Sequence, residues 1–209
     1  MKTYPIMLDL RGKLAVVVGA GPVGIRKAQG LREVDARVLL VARHVAAETL
    51  PDGVEVRIEP YRAEMLAGAM LVFACTDQPE LNARIAADAR GIGAMVNVAD
   101  VPGQCDFYAA SVVRDGDVVL AIGSGGASPA LAAWLRGRIA GQMPRRIGEF
   151  ADVLESLRAD VRAAMPDDSR ERMRLMKQLV SDDTYEQFLA AGPQAVRDRL
   201  HRLLKGLKD

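Results

Sequence analysis

The sequence predicts an α/β protein: a doubly wound parallel sheet, then a small α+β segment, then a helical tail. Three observations predict it. An apolar run at residues 14–18 ends in Gly19-Ala20-Gly21-Pro22-Val23-Gly24 and continues into a helix-like stretch over 23–33. Short β-branched runs then alternate with helical stretches, the rhythm of βαβ units. Near Phe107 that rhythm stops, and a hairpin signal gives way to helical spacing.

The glycine loop is the first half of a dinucleotide-binding βαβ unit, so the sheet is Rossmann-like. Each glycine has a physical task. Gly19 permits the tight turn out of the strand. Gly21, without a Cβ, lets a pyrophosphate approach the backbone. Gly24 lets the helix pack closely on the strand. A phosphate would rest on the unpaired N–H groups at the positive end of the helix. Pro22 suits a first helical turn, where no hydrogen bond is lost.

The remaining elements follow in order. The segment from Tyr4-Pro5-Ile6 to Leu10 packs as a lead-in, and Arg11-Gly12-Lys13 turns into the first strand. Residues 36–42 are almost continuously apolar, as a strand buried on both faces should be. Residues 54–58 alternate after an Asp52-Gly53 turn and read as a half-exposed third strand. Residues 70–74 and 94–98 are the fourth and fifth strands, with a helix over 79–90 between them, capped by Thr76 or Asp77. Residues 111–114 and 117–122 flank Asp115-Gly116, which suits a type I′ hairpin turn. Gly123-Ser124-Gly125-Gly126-Ala127-Ser128-Pro129 opens a helix over 129–140, with Ser128 as N-cap and Pro129 in the first turn. From Arg145 onward Ile147, Phe150, Val153, Leu154, Leu157 and Val161 keep helical spacing, with breaks at Met165-Pro166-Asp167-Asp168 and Ala191-Gly192-Pro193. The expected division is a nucleotide-binding domain at 1–110, a hairpin-plus-helix segment at 111–145 and a helical domain at 146–209.

Composition narrows the function classes. A net charge of +1 gives no electrostatic case for nucleic acid or an anionic membrane. Cys75 and Cys105 form neither a CxxC pair nor a zinc spacing, so both thiols are expected free, in a reducing compartment. Met1-Lys2-Thr3-Tyr4-Pro5 is not followed by a signal-peptide core, and no apolar run reaches the ~18 residues of a membrane span. A cytoplasmic chain is expected.

In an open α/β sheet ligands bind beyond the carboxyl ends of the strands. Those ends carry the glycine loop, Arg43-His44, Cys75-Thr76-Asp77 and Asn97-Val98-Ala99-Asp100. An acidic residue normally follows the second strand and accepts a hydrogen bond from the adenine ribose. Arg43 stands there instead, either to pair with a 2′-phosphate or to stack on the adenine. Asp100 sits where a nicotinamide should lie. It is a general base, a holder of a substrate nitrogen or a plain cap of Val101-Pro102. His44 reads as a nucleotide contact, and His201 as solvated. Cys105 reads as a small packed thiol or a nucleophile. Ser124-Gly125-Gly126 reads as a flap over a ligand or as a turn.

Together these motifs resemble the precorrin-2 dehydrogenase family, the N-terminal part of siroheme synthases, whose members often also act as sirohydrochlorin ferrochelatases. The likeness is carried by Tyr4-Pro5-Ile6, by Val17 to Ala28 with its Ile25-Arg26-Lys27-Ala28 helix start, and by Ala74-Cys75-Thr76-Asp77-Gln78-Pro79-Glu80-Leu81-Asn82. Val96-Asn97-Val98-Ala99-Asp100 and Ile122-Gly123-Ser124-Gly125-Gly126-Ala127-Ser128-Pro129-Ala130-Leu131-Ala132 complete it. It covers most of residues 1–150 and weakens in the tail. Phe107-Tyr108-Ala109-Ala110 departs from the family by lacking a proline.

The resemblance implies NAD-dependent oxidation of precorrin-2 to sirohydrochlorin, with Fe²⁺ as a further substrate where the chelatase activity exists. The family uses NAD although it lacks the acidic ribose ligand. It also implies an intertwined homodimer, and a catalytic role for Asp100. Gly19, Gly21, Pro22, Val23, Gly24, Arg43, His44, Thr76 and Asp77 are the expected cofactor contacts. Asn97, Ser124 and Gly125 are the expected substrate contacts, and no metal ligands are expected. Ser124 matches the serine that is phosphorylated in fused enterobacterial enzymes. No methyltransferase domain follows, so a stand-alone dehydrogenase is expected. The competing reading is an NAD-sensing regulatory module on the same fold, without hydride transfer; the missing acidic ribose ligand counts against it.

Overall fold

Ala15, Val16, Val17 and Val18 are all buried, which only a strand covered on both faces allows. In the computed structural model, which describes residues 3–45 and 50–206, they form β1 (Leu14–Val18). The lead-in expected over Tyr4 to Leu10 packs only at its end: Leu8 and Leu10 meet the core, while Tyr4, Ile6 and Met7 are exposed. After β1 come α1 (Pro22–Arg32), β2 (Arg37–Ala42), β3 (Glu55–Ile58), β4 (Ala69–Ala74), α2 (Pro79–Gly91) and β5 (Met95–Val98). All strand pairs are parallel, in the order β3-β2-β1-β4-β5. The chain builds outward from β1 to β3, then restarts on the other side of β1 with β4. This is the doubly wound pattern, with its switch point between β1 and β4.

Strand alternation divides the core in two. Ala15 and Val17 of β1 join Val38 and Leu40 of β2 and Leu71 and Phe73 of β4 beneath Ala28 and Leu31 of α1. Val16 and Val18 point the other way, with Val72, Ala74, Val96 and Val98, beneath Ile85, Ala86 and Ala89 of α2. Each fully buried valine contributes about 1.5–3 kcal/mol relative to exposure.

The start of α2 differs from expectation. Its N-cap is Gln78, with no side-chain capping bond, rather than Thr76 or Asp77. The Thr76 hydroxyl is engaged elsewhere: it donates to Asn82 Oδ1 at 2.7 Å and lies 3.2 Å from the Gln78 N–H that donates to it.

The second half contains β6 (Ser111–Asp115), β7 (Val118–Ile122), α3 (Pro129–Ala140), α4 (Ile147–Ala164), α5 (Ser169–Leu179), α6 (Asp182–Ala191) and α7 (Pro193–Lys205). The hairpin forms, but its turn is shifted by one residue. Asp115 pairs with Val118, so the loop is Gly116-Asp117. Gly116 has φ +55°, while Asp117 is not among the positive-φ residues. A type I′ turn needs both central residues at positive φ; a glycine at the first alone suits type II′. The Asp115 carboxylate, freed from the turn, accepts from Gly148 N–H at 3.1 Å. A further unforeseen break separates α5 from α6, where Ser181 accepts from Thr184 N–H as N-cap. Phe150, Val153, Leu157 and Val161 of α4 bury the expected stripe against Leu175, Leu179, Phe188, Val196 and Leu200.

The chain divides into two compact units, Met1–Ala109 and Ala110–Asp209. Among the described residues no helix is long and apolar enough to cross a membrane.

Candidate active site

The glycine loop is held by two backbone bonds. Gly19 N–H donates to Val41 O at 2.8 Å, and Cys75 N–H donates to Val18 O at 2.8 Å. Gly19 has φ +111°, and a Cβ there would stand 2.3 Å from Cys75 O. A Cβ on Gly24 would stand 1.9 Å from Gly19 O, which explains the close seating of α1 on β1. Gly21 differs: a Cβ on it would meet nothing within 4 Å, because it faces open cleft.

Gly21 is also the N-cap of α1. No side chain caps this helix, no acidic residue stands in its first turn, and Pro22 occupies the first helical position. The first intrahelical donor is Ile25 N–H, to Gly21 O. The N–H groups of Gly21, Val23 and Gly24 therefore lack helical partners. Three donors at a positive helix end, beside a glycine with room in front of it, fit a pyrophosphate.

The cleft in front of the loop has a volume of about 680 Å³ and runs along the carboxyl ends of the strands. Gly19, Gly21, Pro22, Val23, Arg43, His44, Thr76, Asp77 and Asp100 all line it. Gly24 is buried behind the loop and not in the lining.

Three cleft residues escaped the sequence analysis: Glu59, Pro60 and Tyr61, just past β3. The rule that ligands lie beyond strand ends covers β3 as well as the others, so a signal existed. Tyr61 is a wall rather than an acid or base. Burial, then its hydrogen bond to Asp88 Oδ2 at 2.9 Å, pushes its hydroxyl well above the ordinary phenol range.

At the end of β4 the turn is clamped by Asn82, which is buried. Asn82 Oδ1 accepts from Thr76 N–H at 3.1 Å, and its amide donates to Thr76 O at 3.0 Å. This fixes Thr76 and Asp77 at the cleft. Burial pushes the Cys75 thiol up to about 11 against the pull of nearby Lys27, so it stays protonated near neutrality.

Asp100 follows β5 in the left-handed region, with φ +60°. Aspartate tolerates this conformation better than most residues, and such positions cluster at functional sites. The Pro102–Gln104 turn beyond it has Val101 as N-cap and no side-chain capping bond, so the capping role for Asp100 is not what the structure shows. The carboxylate is exposed on the cleft instead.

The other expected contacts lie elsewhere. Asn97 is buried within β5, outside the cleft lining; its amide donates to Phe107 O at 2.9 Å. Cys105 Sγ sits 3.2 Å from both Val98 N and Val98 O, a packed thiol on β5. Ser124 and Gly125 belong to the second unit. Ser124 Oγ donates to Ser128 O at 2.9 Å and accepts from Ser128 N–H at 3.1 Å, and Gly125 has φ +61°. Among the described residues no three His, Cys, Asp or Glu side chains group as a metal site.

Comparison with known proteins agrees with this geometry. Residues 6–111 match a family described as "Putative NAD(P)-binding". A siroheme synthase of Thioalkalivibrio sulfidiphilus is 31% identical over 209 residues, covering 98% of this chain and 42% of that protein. A siroheme synthase of Pseudomonas putida is 35% identical over 176 residues, covering 82% of this chain and 38% of that protein. The chain thus spans less than half the length of these relatives. The solved structure of SirC, a precorrin-2 dehydrogenase, superposes with a TM-score of 0.70 over 96% of this chain and all of that one, at 19% identity, a likeness of fold. The chain belongs to the NAD(P)-binding family that its first half matches, and these relatives bear out the likeness to the precorrin-2 dehydrogenases of siroheme synthesis.

Proposed function

We propose that the chain oxidises precorrin-2 to sirohydrochlorin, with NAD as the hydride acceptor. The observation that carries this reading is Asp100: a carboxylate in left-handed backbone, sharing one cleft with an uncapped helix N-terminus. The likeness to siroheme synthases and to the precorrin-2 dehydrogenase SirC supports this choice of substrate.

The oxidation removes two electrons and two protons' worth of hydrogen from the macrocycle. A hydride leaves a ring carbon, and a proton leaves for a base, giving sirohydrochlorin, NADH and H⁺. The dinucleotide supplies the hydride-accepting ring. The chain supplies the rest. The N–H groups of Gly21, Val23 and Gly24 hold the pyrophosphate. Arg43 and His44 contact the adenosine half. Thr76 and Asp77, held by Asn82, stand beside the phosphate loop at the end of β4. Asp100 accepts the released proton or orients a pyrrole N–H. Should Fe²⁺ enter the product, the same carboxylate would receive protons displaced from the ring nitrogens.

Ser124 and Gly125 remain the further substrate contacts in this reading; Asn97, buried within β5 with its amide on Phe107 O, is a packing residue instead. Residues 111–145 serve as the dimerisation segment. In its support, among the described residues β6 pairs only with β7, and Val112, Leu120, Leu131 and Trp134 are exposed. The enzyme works in the cytoplasm as a homodimer; light scattering that returned a monomer at micromolar concentration would remove the dimer.

The test of function is anaerobic NADH production from precorrin-2 by Asp100→Ala and Asp100→Asn. Turnover should fall by roughly 10²–10⁴-fold with NAD affinity retained. Wild-type rates in both variants would take Asp100 out of the mechanism. NAD binding by the unsubstituted chain without any turnover would favour the sensing module.

A further inference from the structure

The cleft has an unassigned carboxylate at its adenosine end. β2 and β3 run parallel, with Ala42 opposite Ile58 as their last registered pair. The next residues, Arg43 and Glu59, therefore leave the sheet side by side, and both line the cleft. Among the described residues three carboxylates line the cleft: Asp77 past β4, Asp100 past β5 and Glu59 past β3. Of these three, Glu59 is the one at the β2–β3 end, where a dinucleotide on the glycine loop places its adenine ribose.

We propose that Glu59 is the residue that selects NAD over NADP. It supplies, from the neighbouring strand, an acidic ribose acceptor where Arg43 holds the position directly after β2. This inference rests on the dinucleotide reading of the cleft. An ionised carboxylate only accepts hydrogen bonds, so it takes the two ribose hydroxyl donors of NAD and repels a 2′-phosphate. Arg43 has the opposite preference, since a guanidinium pairs with phosphate. Glu59 is restrained for its task. Its side chain is 32% exposed, and Arg62 Nη1 lies 2.8 Å from its Oε2. One carboxylate oxygen is thereby oriented by Arg62, and the group keeps further lone pairs for the ribose.

The test measures dissociation constants of NAD and NADP by calorimetry for the full chain, Glu59→Gln and Arg62→Ala, with thermal unfolding beside each. The unsubstituted chain should prefer NAD. Glu59→Gln keeps size and removes charge, and its preference for NAD should shrink by about tenfold or more, as for a lost hydrogen bond to a charged group. Arg62→Ala leaves Glu59 in place and should keep the preference within about threefold. An unchanged preference in Glu59→Gln overturns the proposal. So does an equal shift in both variants, which would make the pair a structural brace. So does a preference for NADP in the unsubstituted chain. Binding of neither nucleotide by the unsubstituted chain removes the dinucleotide reading itself, and with it this one. If Glu59→Gln unfolds early, Glu59→Asp replaces it: the charge is retained but withdrawn by one methylene, and the NAD preference should fall while NADP remains weak.

Discussion

Two glycine-rich loops in this chain open a helix with proline in the first turn, and they end in opposite states. Before α1, Gly21 is the N-cap, and no side chain meets the helix donors. Before α3, Ser128 is the N-cap, and its hydroxyl accepts from Leu131 N–H at 3.2 Å. Ser124 closes the second loop further, through both backbone polar groups of Ser128. The glycines differ as well. Those at 19 and 24 are compelled by backbone contacts of 2.3 and 1.9 Å to a missing Cβ, whereas Gly126 has open space around it and a φ of +82°. The same residue types thus make a finished helix end in one unit and an unfinished one in the other. An unfinished end beside an open cleft is what an anion requires. The sequence GxGxxG matters less here than the absence of a capping hydroxyl.

The sharpest way to break this comparison is to add one methyl to each loop. Gly24→Ala places a Cβ against Gly19 O, a backbone atom that cannot swing away. α1 must lift off β1, at a cost of about 1–3 kcal/mol or more, and the phosphate donors move with it. Gly126→Ala meets only the left-handed backbone, at about 1 kcal/mol. Urea unfolding of both variants gives the two losses. Equal losses would mean that close packing does not distinguish the loops.

A smaller effect, confined to binding, is expected from Gly21→Val. Its side chain enters open space, so the unfolding midpoint should stay within experimental scatter. The same side chain stands where the pyrophosphate approaches. NAD affinity should fall at least about tenfold, the loss of one hydrogen bond to a charged group. Calorimetric titration checks it, and an unchanged affinity would place the phosphate elsewhere.

How much of this was legible depends on the kind of signal. The strands were, because apolar runs such as residues 14–18 leave a buried strand as the economical solution. The glycine loop was, because its spacing maps directly onto backbone contacts. Glu59 was legible only in part: the strand-end rule reaches β3, but Glu59 belongs to no motif, and its place beside Arg43 depends on the register between β2 and β3. The Gly116-Asp117 turn was misplaced because an Asp-Gly pair specifies a turn without choosing which residue pairs last; the Asp115–Gly148 bond, across 33 residues, made that choice. Asn97 shows a parity that could have been counted. Val96 and Val98 bury on one face of β5, so residue 97 takes the other, toward Phe107. The α5–α6 break had its signal in Ser181 followed by Asp182 and Asp183, an N-cap with an acidic first turn, inside a tail that otherwise kept helical spacing.

The smallest effect sharpens the comparison from the closed side. Ser128→Ala removes the hydroxyl that satisfies Leu131 N–H, and water can replace it because the bond is exposed. Loss of such a cap costs about 1 kcal/mol. Ser124 would still hold the backbone of residue 128, since it bonds main-chain atoms that alanine keeps. The loop should therefore persist while α3 frays at its first turn. Urea unfolding should show the small loss, and NAD affinity should stay within about twofold of the unsubstituted chain, because the phosphate donors belong to α1. A tenfold loss of NAD affinity at unchanged stability would show that the closed loop serves the nucleotide after all, and the contrast between the two helix starts would fail.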